Sequence, residues 1–180
     1  MNNAVEFVRS IGLEVREGRP NQEPSFNPDS YVWLHKGRLY YDPEKFHIGD
    51  FLHEAGHLAV LPSIARPFAT GEIEESTSHA IVEYLNTHQD SFFDQPEDPI
   101  ARACLQAGDA EAIAWSYAAA VKLEIDPVIV FENGFPTDED RADVQLSVSM
   151  NAYPGINGLR AGGFFKSVKD YPRMERWLAP

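Results

Sequence analysis

Phe51-Leu52-His53-Glu54-Ala55-Gly56-His57-Leu58-Ala59-Val60 decides how the rest of this chain is read. It contains H-E-x-x-H, and in a helix two histidines four residues apart lie on one face, one turn apart, within reach of a single Zn²⁺. Glu54 lies about 60° round the helix from His57, at the edge of that face, where a carboxylate takes a proton from a metal-bound water without being a ligand. Ile48, Phe51, Leu52, Ala55, Leu58 and Ala59 fall in an apolar sector roughly 120° wide, nearly opposite the histidines. The spacing predicts a helix that packs on one side and coordinates on the other. Two histidines that merely cap or hydrogen-bond are the plainer alternative.

Upstream, Tyr31-Val32-Trp33-Leu34 and Arg38-Leu39-Tyr40-Tyr41 bracket His35-Lys36-Gly37 and read as a β-hairpin with glycine at its turn. Asp42-Pro43 follows as N-cap and first helical residue, so the motif helix is expected to start there and to stop before Pro62. Gly49 and Gly56 share a side of that helix, where another element can approach closely. Before the hairpin, Asn2 or Asn3 caps a short helix with Val5, Val8, Ile11 and Phe7 inward, and Leu13-Glu14-Val15 alternates like a short strand.

Downstream, a helix is expected over 72–85, and His79 and Glu83 within it are spaced to share a ligand face. A loop over 90–99 leads to a strong alanine-rich helix over 108–121, with Asp109 read as its N-cap. Its small side chains let it lie close against the histidine helix. A short helix is expected from Asp126-Pro127 to Phe131 and another over 138–150. The glycine- and aromatic-rich stretches 151–158 and 161–165 read as loops, and the stretch 171–178 as a short helix docking Met174, Trp177 and Leu178. Together these elements make an α+β fold, mostly helical, with a small hairpin or sheet ahead of the motif helix.

A chain of 180 residues with 43% hydrophobic content suits one core, so one domain over 1–180 is expected. The net charge of −13, from 28 acidic and 15 basic residues, argues against nucleic acid or an anionic membrane as partner and tolerates a cationic peptide. Cys104 is the lone cysteine, so zinc, if held, is held by histidine and carboxylate. With no basic leader before an apolar run and no stretch of 18 apolar residues, a cytoplasmic location is expected.

Two histidines leave a catalytic zinc one protein ligand short. Leu58-Ala59-Val60-Leu61-Pro62 lacks the glycine and third histidine of the metzincin extension, so the missing ligand must come from elsewhere. Here the chain resembles the zincin superfamily, and within it the gluzincins, whose third zinc ligand is a carboxylate on a later helix. The resemblance covers about ten residues around His53 and about ten more in Asp109-Ala110-Glu111-Ala112-Ile113-Ala114-Trp115. It implies a zincin-like fold and makes Glu111, 54 residues beyond His57, the favoured third ligand. By another alignment Asp109 takes that place, and His79, Glu83 and Glu72 share what remains. Many gluzincins carry an Asp four residues after the ligand to orient a histidine, whereas this chain has Trp115 there.

The function expected from this reading is a zinc peptidase acting on a peptide or protein. His53, His57 and Glu111 hold Zn²⁺, Glu54 is the general base, and Tyr153 or Tyr117 is an oxyanion donor. A metal-binding or interaction module without hydrolysis competes with it, as does a metal-dependent hydrolase of a non-peptide amide.

Overall fold

The computed structural model describes residues 2–19, 31–71, Cys104 and 107–180. Its elements run α1 (Asn2–Ser10), β1 (Val15–Glu17), β2 (Val32–His35), β3 (Arg38–Tyr41), α2 (Ile48–Val60), α3 (Asp109–Lys122), α4 (Asp138–Ser149) and α5 (Pro154–Ala161). Single 3₁₀ turns lie at Arg66–Phe68, Pro127–Phe131 and Val168–Asp170. The architecture is α+β: among the described residues, five helices and a three-stranded mixed sheet that precedes the histidine helix. The expected helix over 72–85, with Glu72, His79 and Glu83, and the loop over 90–99 lie outside the described residues.

The hairpin forms as its residues dictate. Lys36 and Gly37, both with positive φ (49° and 72°), make the two-residue turn, and Leu34 faces Leu39 across the ladder. β1 joins β3 in parallel, with Val15 opposite Leu39, giving the order β1-β3-β2. Val15, Val32, Leu34, Leu39 and Tyr41 are buried, so alternation directs one face of this sheet into the core. The ring of Tyr41 meets Phe46 at 4.9 Å and Phe51 at 5.5 Å, and Phe46 meets Phe51 at 5.4 Å. This aromatic triangle fastens the sheet to the first turn of α2.

The same triangle corrects the expected start of the helix. Asp42 does cap a turn, accepting the Glu44 N–H at 3.0 Å, but the turn closes there. Phe46 must reach the core between Tyr41 and Phe51, so α2 begins only at Ile48, with His47 as its N-cap residue. Phe51, Leu52, Ala55, Leu58 and Ala59 are then fully buried and Ile48 partly so, which is the apolar sector read from the sequence. At the other end, Arg66 donates to the Leu58 and Leu61 carbonyls, both at 2.9 Å, and to the Ala179 carbonyl at 3.1 Å. A cation thus satisfies carbonyls that the last turn leaves open.

Two segments differ from expectation. The stretch after Asn151 contains a helix, α5, opened by Pro154 at its first position. Its glycines weaken helix propensity, but Gly155 sits directly on the Ala110 carbonyl and Gly158 on the Glu111 side chain, positions where a Cβ has no room. Packing overrides propensity there. The stretch 171–178, conversely, is not helical: the Glu175 N–H donates to the Phe164 carbonyl at 2.8 Å rather than into a turn of its own. Met174, Trp177 and Leu178 nevertheless pack on the core, and the Trp115 indole donates to the Trp177 carbonyl at 3.0 Å.

α2 packs most extensively on α3, and α3 in turn on α5. Gly56 allows α2 this closeness to α3, and Gly49 allows the Pro127–Phe131 turn a similar approach to α2. A Cβ on Gly49 would overlap the Ile129 carbonyl, and one on Gly56 would lie 2.8 Å from the Ala112 carbonyl oxygen. Alanine favours an open helix over glycine by about 1 kcal/mol. Here backbone stands in the way, so Gly49→Ala and Gly56→Ala are each expected to lower stability by about 1–3 kcal/mol in urea unfolding.

Candidate metal centre

His53 and His57 project from one face of α2, as their spacing requires, with their ring centroids 4.6 Å apart and their planes nearly perpendicular. Their Nε2 atoms face each other at 3.1 Å. The third group comes from the first residue of α3: Asp109 Oδ1 lies 3.1 Å from His53 Nε2 and 3.5 Å from His57 Nε2. Among the described residues, His53, His57 and Asp109 are the group that could hold a metal ion. Four ligands about 2.0–2.1 Å from a tetrahedral zinc stand roughly 3.3 Å from one another, and the triangle of His53 Nε2, His57 Nε2 and Asp109 Oδ1 matches that spacing. The donor set, two neutral imidazoles and a carboxylate, suits a borderline divalent ion and leaves one position for water.

The surroundings of the three groups differ. His57 is 7% exposed, and its Nδ1 is buried with no hydrogen-bond partner among the described residues. Among the described residues, packing rather than an acceptor behind the ring holds that imidazole. His53 is half-buried, and the Asp109 side chain is 71% exposed, so the site opens on the Asp109 side. Hydrogen bonds from His53 and then His57 hold the Asp109 carboxyl far below the usual carboxylate range. Burial works to lower the His53 pKa, but the Asp109 hydrogen bond and the charges of Glu54, Asp109 and Asp50 outweigh it and raise it.

Glu111 does not join the cluster. Gly108, not Asp109, is the N-cap residue, and Glu111 at the third helical position turns back so that Oε2 accepts the Gly108 N–H at 3.3 Å. Burial raises the Glu111 pKa, against the lowering effect of its own N–H and that of Gly108. Asp109, released from capping, reaches the histidines. Asp109, not Glu111, is thus the carboxylate that stands with the two histidines, and Glu111 takes the capping position. A glutamate three residues after a helix start is a capping-box position, and that was the signal available in the sequence.

Glu54 is half-buried and near enough for its charge to act on His53. Tyr153, the residue before α5, is half-buried, and its phenol is pushed up to about 12 by burial and by the charges of Asp109 and Glu111. Tyr117 lies elsewhere: two turns along α3 from Asp109, its ring stacks on Tyr171 at 6.1 Å and tilts against Phe131 at 6.1 Å. Trp115, at the position where many gluzincins carry a histidine-orienting Asp, donates its indole N–H to the Trp177 carbonyl.

Among the described residues no helix is long and apolar enough to cross a membrane. Two measurements check the cluster. Purified protein is expected to bind one equivalent of Zn²⁺, and Asp109→Ala to lose it to a chelator that leaves the wild type loaded. Zinc must also displace the His53 proton, whose pKa is raised, so apparent affinity is expected to rise with pH and to keep rising past the ordinary imidazole value of about 6.5 before it levels off. In the metal-free protein the His53 contribution to stability is complete below about 6.5 and is lost as pH rises through its folded value. The Asp109 contribution is present above about 3.9 and is lost as pH falls through its depressed value, and Asp109→Asn is expected to remove this dependence and to weaken that of His53, whose pKa Glu54 and Asp50 also raise. No family model, no curated protein and no solved structure matches this chain, so its functional reading rests on the chemistry of this site.

Proposed function

We propose that this protein is a zinc-dependent metallopeptidase in which His53, His57 and Asp109 hold the ion and Glu54 is the general base. The observation that carries the reading is the meeting of both Nε2 atoms and Asp109 Oδ1 within 3.5 Å, with a glutamate next in sequence to the first histidine. Bound zinc supplies a water of lowered pKa and polarises a carbonyl oxygen. Glu54, at the edge of the ligand face, takes the proton of the attacking water and delivers it to the leaving amine. Tyr153 keeps its hydroxyl proton over the whole physiological range, and the influence of the Asp109 and Glu111 charges on its phenol supports it as the oxyanion donor. The exposed flank of Asp109 leaves a way in for an extended chain, and a protein of net charge −13 favours substrates with basic residues.

Retention of Glu54 supports hydrolysis over a purely structural ion, since a closed structural site has no use for a base beside the metal. The test is a screen of casein and peptide libraries with Glu54→Gln as the partner variant. Glu54→Gln is expected to keep its zinc while turnover falls by about 10²–10⁴-fold. Zinc-loaded wild type that cleaves no peptide but opens a non-peptide amide would move the assignment to that substrate class. Loaded protein with no turnover on either would make the site a binding module.

A further inference from the structure

We propose that Glu111 is a positioning residue for the metal centre: by capping Gly108 it frees Asp109 to face His53 and His57. The proposal rests on the metal-binding reading above.

The start of a helix leaves several backbone N–H groups without partners, and a side chain at the N-cap ordinarily accepts from one of them. Gly108 has no side chain to do so. Glu111 supplies the acceptor instead, taking the Gly108 N–H on Oε2 and its own N–H besides. Its other oxygen, Oε1, is pressed against Gly158 of α5, where a Cβ would overlap it. One residue earlier, the Ala110 carbonyl is covered just as closely by Gly155. The Glu111 carboxylate is thus enclosed between the open end of α3 and a glycine face built to receive it.

The consequence falls on Asp109. Aspartate is itself among the strongest N-cap residues, better than the glycine that holds the position. Without the Glu111 carboxylate, the first turn is satisfied most readily by starting one residue later, with Asp109 as the cap. An Asp109 that accepts backbone N–H groups is withdrawn from His53 and His57. Glutamine at 111 still offers an oxygen to the Gly108 N–H, as capping boxes accept Glu or Gln. Alanine does not.

The experiment measures Zn²⁺ affinity of the full chain by chelator competition, with the visible spectrum of the Co²⁺ form as a readout of ligand geometry. Wild type is compared with Asp109→Ala, Glu111→Gln, Glu111→Ala, Gly158→Ala and the pair Glu111→Ala with Gly158→Ala. Glu111→Gln is expected to stay within about threefold of wild type, whereas Glu111→Ala weakens binding by about 10–100-fold and alters the Co²⁺ spectrum. Gly158→Ala, which evicts the carboxylate, is expected to match Glu111→Ala. The pair is expected to be no worse than Glu111→Ala alone, because the smaller side chain has made the room. Should Glu111→Ala fail to fold, Gly158→Ala against Glu111→Gln carries the same comparison. Glu111→Ala binding as tightly as wild type overturns the proposal, and so does Glu111→Gln as weak as Glu111→Ala, which would make Glu111 a ligand. Wild type that takes up no metal, or Asp109→Ala that binds as well as wild type, overturns the metal reading together with this one.

Discussion

The crossing of α2 over α3 at Gly56 and Ala112 is the contact on which the rest depends. Backbone meets backbone there, with no side chain between. Gly56 stands three residues after His53 and Ala112 three residues after Asp109, so the crossing and the cluster of His53, His57 and Asp109 are one turn apart on both helices. A crossing held by larger side chains would set the helix axes further apart, and a carboxylate as short as that of aspartate would no longer span the gap. The choice of Asp109 as the converging carboxylate and the choice of glycine at 56 are two sides of one geometric requirement.

Around that crossing the protein assigns separate tasks to neighbouring charges. Two acids begin α3, both favoured by the positive end of the helix, yet one faces the backbone and the other the imidazoles. The exchange of hydrogen bonds with His53 and His57 keeps Asp109 ionised, whereas burial beside Gly158 pushes Glu111 the other way. The imidazoles are held differently too. His57 relies on packing, with no acceptor for its Nδ1 among the described residues, while His53 stands among the charges of Glu54, Asp109 and Asp50.

The aromatic triangle of Tyr41, Phe46 and Phe51 shows where sequence reading reaches its limit. Asp42-Pro43 carries a helix-start signal, and locally the signal works, since Asp42 caps its turn. The helix is deferred to Ile48 because burying Phe46 between two other rings outweighs five residues of helical hydrogen bonding. The helix α5 was missed for the complementary reason. Glycine at 155 and 158 lowers intrinsic helicity, and only the surface of α3 lying against it makes glycine the fitting residue.

Periodicity alone determined that Val5, Val8 and the apolar side of α2 go inward, and that His53 and His57 share a face. Those are relations within one element, where the helical or pleated repeat sets direction. Which carboxylate meets the histidines was decided only by tertiary structure. Asp109 and Glu111 lie on the same turn of the same helix, and their roles depend on where Gly108, Gly158 and α2 stand in space. Contacts between elements far apart in the chain carry no period for a sequence to display.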